Sequence, residues 1–165
     1  MPPIEIARWI VAALFALVLT VAGVTDIKSR RIPNWTVAAV IALYIPWFFA
    51  GQGGPLALSL AAALIGFLAS VSLYAFGLLG AGDSKLLTAV ALFIGLGRLL
   101  QFALATAVAG GVLALIVICS RPASALVVLH MRGRADFGRN VPYGVAIAAG
   151  AMLIVFGGLL GIRIG

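Results

Sequence analysis

Long apolar runs separated by short polar segments set the pattern of this chain. The runs lie at 6–25, 35–49, 56–79, 84–96, 99–120 and 141–162, and each is continuously apolar rather than alternating. A helix of about 20 apolar residues crosses the ~30 Å hydrocarbon core of a bilayer. Backbone groups in lipid must be satisfied inside a helix or a closed barrel, and continuous apolarity selects the helix. The expected fold is an all-α polytopic membrane protein, one domain of six transmembrane helices with a long cytoplasmic loop at 121–140. The first run lacks a basic leading segment and is too long for a signal-peptide core, so it reads as a retained helix.

Local signals refine these elements. Pro33 disfavours helix at Ile32 and restarts structure before the second run. Trp35, Tyr44 and Trp47 suit interfacial positions. The stretch 51–55, Gly-Gln-Gly-Gly-Pro, is a turn. The small residues of the third run, and the pair Gly157 and Gly161, suit close helix packing. The fourth run spans only ~20 Å at 1.5 Å per residue, which predicts that Asp83, just before it, lies below the membrane surface. Pro142 fits the first turn of the sixth helix, and residues 123–131 are apolar enough for an interfacial helix.

Composition narrows the class. The chain is 64% hydrophobic and 9% charged, with a mean hydropathy of +1.25. Water-soluble domains carry roughly 25% charged residues, so that class is excluded. The net charge of +7 is not the footprint of nucleic-acid binding, because the basic residues sit in short loops between apolar runs. Lys28, Arg30, Arg31, Lys85, Arg121, Arg132, Arg134 and Arg139 share one face, against Arg8, Arg98 and Arg163 on the other. That asymmetry predicts three cytoplasmic loops touching anionic head groups, with both termini outside. A lone cysteine, Cys119, excludes an internal disulfide and a cysteine zinc site and reads as a small core residue. His130 has no second histidine to share a metal, so it reads as an interfacial polar residue. Asp136 reads as a solvated acid near arginines. No metal or cofactor is expected.

The candidate chemistry lies in Gly80-Ala81-Gly82-Asp83-Ser84-Lys85. An ionisable residue near membrane depth costs about 2.5–3.5 kcal/mol on insertion scales and marks a functional site by default. Asp26 ends the first run, and two crossings separate it from Asp83, so both acids reach the same membrane face in either orientation. Two carboxylates a few ångströms apart do not both ionise easily, and such a pair performs aspartic proteolysis. One takes a proton from an attacking water while the other donates to the peptide carbonyl. Cleavage would then decline once both carboxyls are ionised. Gly80 and Gly82 are expected to adopt backbone conformations closed to other residues and to admit a neighbouring chain. Plainer readings stay open: Asp83 as an N-cap, Asp26 as a loop acid pairing with Lys28, and Lys85 as a residue reaching for the head groups.

Three segments resemble a known family, the type IV prepilin peptidases. Asp26-Ile27-Lys28-Ser29-Arg30-Arg31-Ile32-Pro33-Asn34 is similar to their first-aspartate motif, an Asp followed shortly by Ile-Pro-Asn. Gly80-Ala81-Gly82-Asp83-Ser84-Lys85-Leu86 resembles their GxGD motif, and Val141-Pro142-Tyr143-Gly144 the start of their last helix. The resemblance implies a GxGD aspartic protease-like bundle with Asp26 and Asp83 as catalytic residues. It implies that Gly80, Gly82, Lys85, Pro33, Asn34, Pro142, Tyr143 and Gly144 bind substrate or shape the site. Such enzymes remove the short basic leader of prepilins or pseudopilins after a glycine, at the cytoplasmic face of the cell's inner membrane. Pilus-assembly components are implied partners. The paired cysteines of the larger members are absent, which points to the short, CpaA/TadV-like branch serving Flp/Tad pili, without N-methyltransferase activity. Two other classes compete on residues alone: a small ion or solute transporter using the aspartates, and a non-catalytic assembly partner.

Overall fold

A computed structural model describes residues 3–52, 54–120 and 142–161 of the chain. Among these residues it is all helical: α1 (Pro3–Ser29), α2 (Asn34–Phe49), α3 (Leu56–Ala75), α4 (Ala81–Ile94), a 3-10 turn at Leu96–Arg98, α5 (Leu99–Cys119) and α6 (Tyr143–Leu159). Pro3–Ser29, Leu56–Ala75 and Leu96–Cys119 are long and apolar enough to cross a membrane, and α2 and α6 are shorter apolar helices. The chain is a helical membrane protein. The expected interfacial helix at 123–131, Arg121, His130, Arg132, Arg134, Asp136, Arg139 and Arg163 lie outside the described residues.

The helix ends differ from the apolar runs wherever backbone hydrogen bonding, rather than hydropathy, sets the boundary. The first helix does not stop at Thr25 but carries Asp26 within it as far as Ser29. The Ser29 hydroxyl donates to the Thr25 carbonyl at 2.8 Å, and Lys28 opposes the negative end of the helix dipole. Arg30, at φ 53°, then turns the chain out of the helix. Four residues earlier than expected, α3 ends at Ala75. Gly77, at φ 72°, takes the left-handed position there, and the Leu78 N–H reaches back to the Leu73 carbonyl at 2.9 Å. Helix α4 begins at Ala81, so Asp83 sits inside its first turn rather than before it.

α4 is the hub. It packs against α3, α2 and α6, while α1 packs on α6 and α2, and α5 lies along α6. The buried core is built from Phe15 and Leu19 of α1, Val40 and Trp47 of α2, Leu86, Val90 and Phe93 of α4, and Ile147 of α6. Lipid is as apolar as leucine, so contact quality rather than water exclusion holds these helices together. Phe93 illustrates it: Phe15 stacks on one side at 4.0 Å between ring centroids and Trp47 at 4.8 Å.

Three packing expectations are corrected. Tyr44 and Trp47 are buried in this core rather than interfacial, because the indole fills the space beside Phe93. Cys119 is exposed at the end of α5 rather than a core residue. Of the pair, Gly157 is buried in the helix, whereas Gly161 lies beyond α6 and an added Cβ there meets nothing within 4 Å among the described residues. A close helix approach lies at Gly150, where an added Cβ would meet the Thr106 backbone nitrogen of α5 at 2.9 Å.

Candidate active site

One end of the bundle gathers the last turn of α1 and the first turns of α4 and α6. Asp26 is carried to it by the extra turn of α1 and is buried, at 5% exposure. Its Oδ2 accepts a hydrogen bond from the Gly144 N–H at 2.9 Å, across 118 residues of chain. That N–H belongs to the first turn of α6, where backbone donors have no partner within the helix. Pro142 supplies the α6 N-cap and is itself buried.

Asp83 has a parallel arrangement. Its Oδ2 accepts from the Gly80 N–H at 3.2 Å, the one half of a capping box that a glycine N-cap permits. Its Oδ1 is buried and has no hydrogen-bond partner among the described residues. Gly82, next to Asp83, and Gly144, the donor to Asp26, both approach Ile32. The structure thus brings Asp26, Asp83, Tyr143, Gly144, Gly80 and Gly82 together. One oxygen of each acid is pinned by a backbone donor, and the other oxygen of Asp83 lacks a partner among the described residues. A buried acceptor without a partner costs about 1–3 kcal/mol, and such groups belong to strained or reactive places.

The glycines act through space rather than through unusual backbone. Gly80 has φ −79° and ψ 153°, an extended conformation open to any residue, and Gly82 is an ordinary helical position, which corrects the expectation of a special turn. A Cβ on Gly80 would stand 2.8 Å from Asp83 Oδ2. One on Gly144 would stand 3.0 Å from both Asp26 Oδ2 and Ile32 Cδ1. One on Gly82 would meet Ile32 Cβ at 3.2 Å. Ile32 is therefore the wedge between α4 and α6, a role hidden in its sequence position before Pro33.

Lys85, Pro33 and Asn34 lie at the edge of this cluster. Lys85 is exposed, and its Nζ donates to Asn34 Oδ1 at 3.4 Å, joining α4 to the start of α2. Pro33 caps α2, its carbonyl accepting from the Thr36 hydroxyl at 2.7 Å. Ser70 and Ser84 were not singled out from sequence. The Ser84 hydroxyl donates to the Ser70 carbonyl at 3.2 Å and the Ser70 hydroxyl to the Ser84 carbonyl at 3.4 Å. This reciprocal pair fixes the residue after Asp83 against α3. Serines inside apolar helices are the signal for such bonds.

Among the described residues no group of three or more His, Cys, Asp or Glu is placed to hold a metal. Residues 13–115 match the family model described as the type IV leader peptidase family. The chain belongs to that family. The match takes in Asp26, Ile32 and Asp83, and stops before the α6 residues that complete the cluster. No curated protein and no solved structure matches the chain. Membership makes this a membrane protein of a peptidase family whose substrates are prepilins.

Proposed function

We propose that the protein is an aspartic endopeptidase of the inner membrane that removes the basic leader of Flp/Tad-type prepilins or pseudopilins after a glycine. Asp26 and Asp83 are the catalytic pair, in a single domain of six membrane crossings. The loop-charge asymmetry supports a cytoplasmic site with both termini outside. The observation that carries the reading is the buried Asp83 Oδ1, without a hydrogen-bond partner among the described residues, at the same end of the bundle as the buried Asp26.

A water held between the two acids loses a proton to the ionised carboxylate as its oxygen attacks the scissile carbonyl carbon. The protonated carboxyl donates to the carbonyl oxygen, giving a tetrahedral gem-diol. Proton return to the amide nitrogen breaks the C–N bond, leaving a leader that ends in a carboxylate and a new amino terminus. The pair acts as a unit, so base and acid are roles shared between Asp26 and Asp83. Gly144 and Gly80 hold one oxygen of each acid, leaving the other for water and substrate.

The test is incubation of the purified protein with a prepilin and with the same prepilin altered at the glycine before the cut. Shortening of the first alone is the expected result. No shortening, with proton- or ion-coupled flux in liposomes, would favour transport instead.

A further inference from the structure

Helix α3 lies along α4, and α5 along α6, but α3 and α5 make almost no direct contact. Between them runs a cleft of about 440 Å³, floored by Leu87 of α4 and Ile147 of α6. The α5 wall is low beyond Phe102, at Ala103, Ala107, Gly110 and Gly111, and on the α3 side Gly66 and Ala69 lie between the larger Ile65 and Leu73. From Leu99 to Ala114 the α5 wall runs about 22 Å at 1.5 Å per residue, a large part of the hydrocarbon thickness. The lining is apolar except for Thr106 and Tyr143. Tyr143 precedes Gly144, the donor to Asp26, and Leu79, also in the lining, precedes Gly80, the donor to Asp83. The cleft therefore reaches the residues next to both backbone donors.

We propose that this cleft receives the apolar helix of the substrate and delivers the bond preceding that helix to Asp26 and Asp83. The inference rests on the leader-peptidase reading and assigns where the membrane-embedded half of the substrate sits. Small residues allow two helix backbones to approach closely, which is how helices recognise each other in lipid. A helix laid along α5 needs no new turn to bring its end to Tyr143. A second apolar groove, about 430 Å³ between α2, α3 and α4, has Lys85 at its lining. A cationic leader entering there would meet a like charge, which disfavours that route. Gly111 offers a direct handle, since an added Cβ there meets nothing within 4 Å among the described residues.

The test uses full-length protein in liposomes and a synthetic substrate: a basic leader ending in glycine, followed by about 20 apolar residues. A photo-crosslinking residue placed at Ala107 of Asp83→Asn protein should capture the apolar segment, and one placed at Ala63 in the other groove should not. Capture from position 63 alone, from neither position, or only of lipid or of residues 121–141 at position 107 would overturn the proposal. In the active protein, Gly111→Leu should slow cleavage of the anchored substrate at least tenfold. It should leave unchanged a soluble peptide that carries the same junction without the apolar segment. Equal slowing of both, or of neither, would also overturn it. Failure of the unmodified protein to cut either substrate counts against the peptidase reading, whereas the crosslink reports docking without cleavage.

Discussion

The two ends of this helical bundle are built on opposite principles. At one end, Asp26 and Asp83 are buried, each accepts a backbone N–H, and an oxygen of Asp83 has no hydrogen-bond partner among the described residues. Toward the other, Phe15, Phe93 and Trp47 form a continuous stack. There the Arg8 Nε donates to the Ala50 carbonyl at 3.0 Å, and the Arg98 guanidinium lies over Gly158. The aromatic end is held by ring-on-ring contact beside a cavity of about 260 Å³, and its charges reach across helix ends. The acidic end keeps polar capacity unspent. On the proposed function, that difference predicts where the chain tolerates change: packing at the aromatic end serves stability, whereas spacing at the acids serves chemistry.

The largest expected effect is at the acids. Asp26→Asn and Asp83→Asn each lower prepilin cleavage by at least about a thousandfold, read by product formation, while circular dichroism in detergent stays helical. Retained cutting in either variant would break the contrast between the two ends. Next is Gly144→Ala, whose new methyl presses on Asp26 Oδ2 and on Asp26 Cβ, 3.1 Å away. Displacing a carboxylate by a few tenths of an ångström is expected to cut the rate about tenfold with a small change in melting temperature.

The converse holds at the aromatic end. Phe93→Ala removes both stacking partners and is expected to cost about 3 kcal/mol of stability, seen as easier denaturation, with cleavage per folded molecule within about twofold of normal. The smallest effect is at Gly158→Ala. The atoms nearest the new methyl belong to the mobile end of Arg98, so the guanidinium swings aside and both activity and stability hold. A large loss of activity there would show that the two ends are coupled.

Much of this was legible in the sequence, for reasons visible in particular residues. Apolar runs reveal the helices because lipid leaves the backbone few alternatives. Asp26 and Asp83 stand out because acids are rare in such runs. The exact helix ends were not legible, since Ser29, Gly77 and the Gly80–Asp83 half capping box act through hydrogen bonds that hydropathy does not register. Neither was the burial of Trp47, because an aromatic residue near the end of a run suits an interface and a core equally. Ile32 stands in the sequence only as part of the Ile-Pro-Asn segment: its steric role appears when Gly82 and Gly144, 62 positions apart, both approach it. The glycine motif invited a conformational explanation, and the structure supplies a steric one.

The central claim is that the two acids act as one unit, and a double-mutant cycle on prepilin cleavage tests it most directly. Asp26→Asn, Asp83→Asn and the double variant should all fall to the same residual rate, because removing either acid already disables the pair. Losses that multiply in the double variant would show two independent contributions and contradict the account.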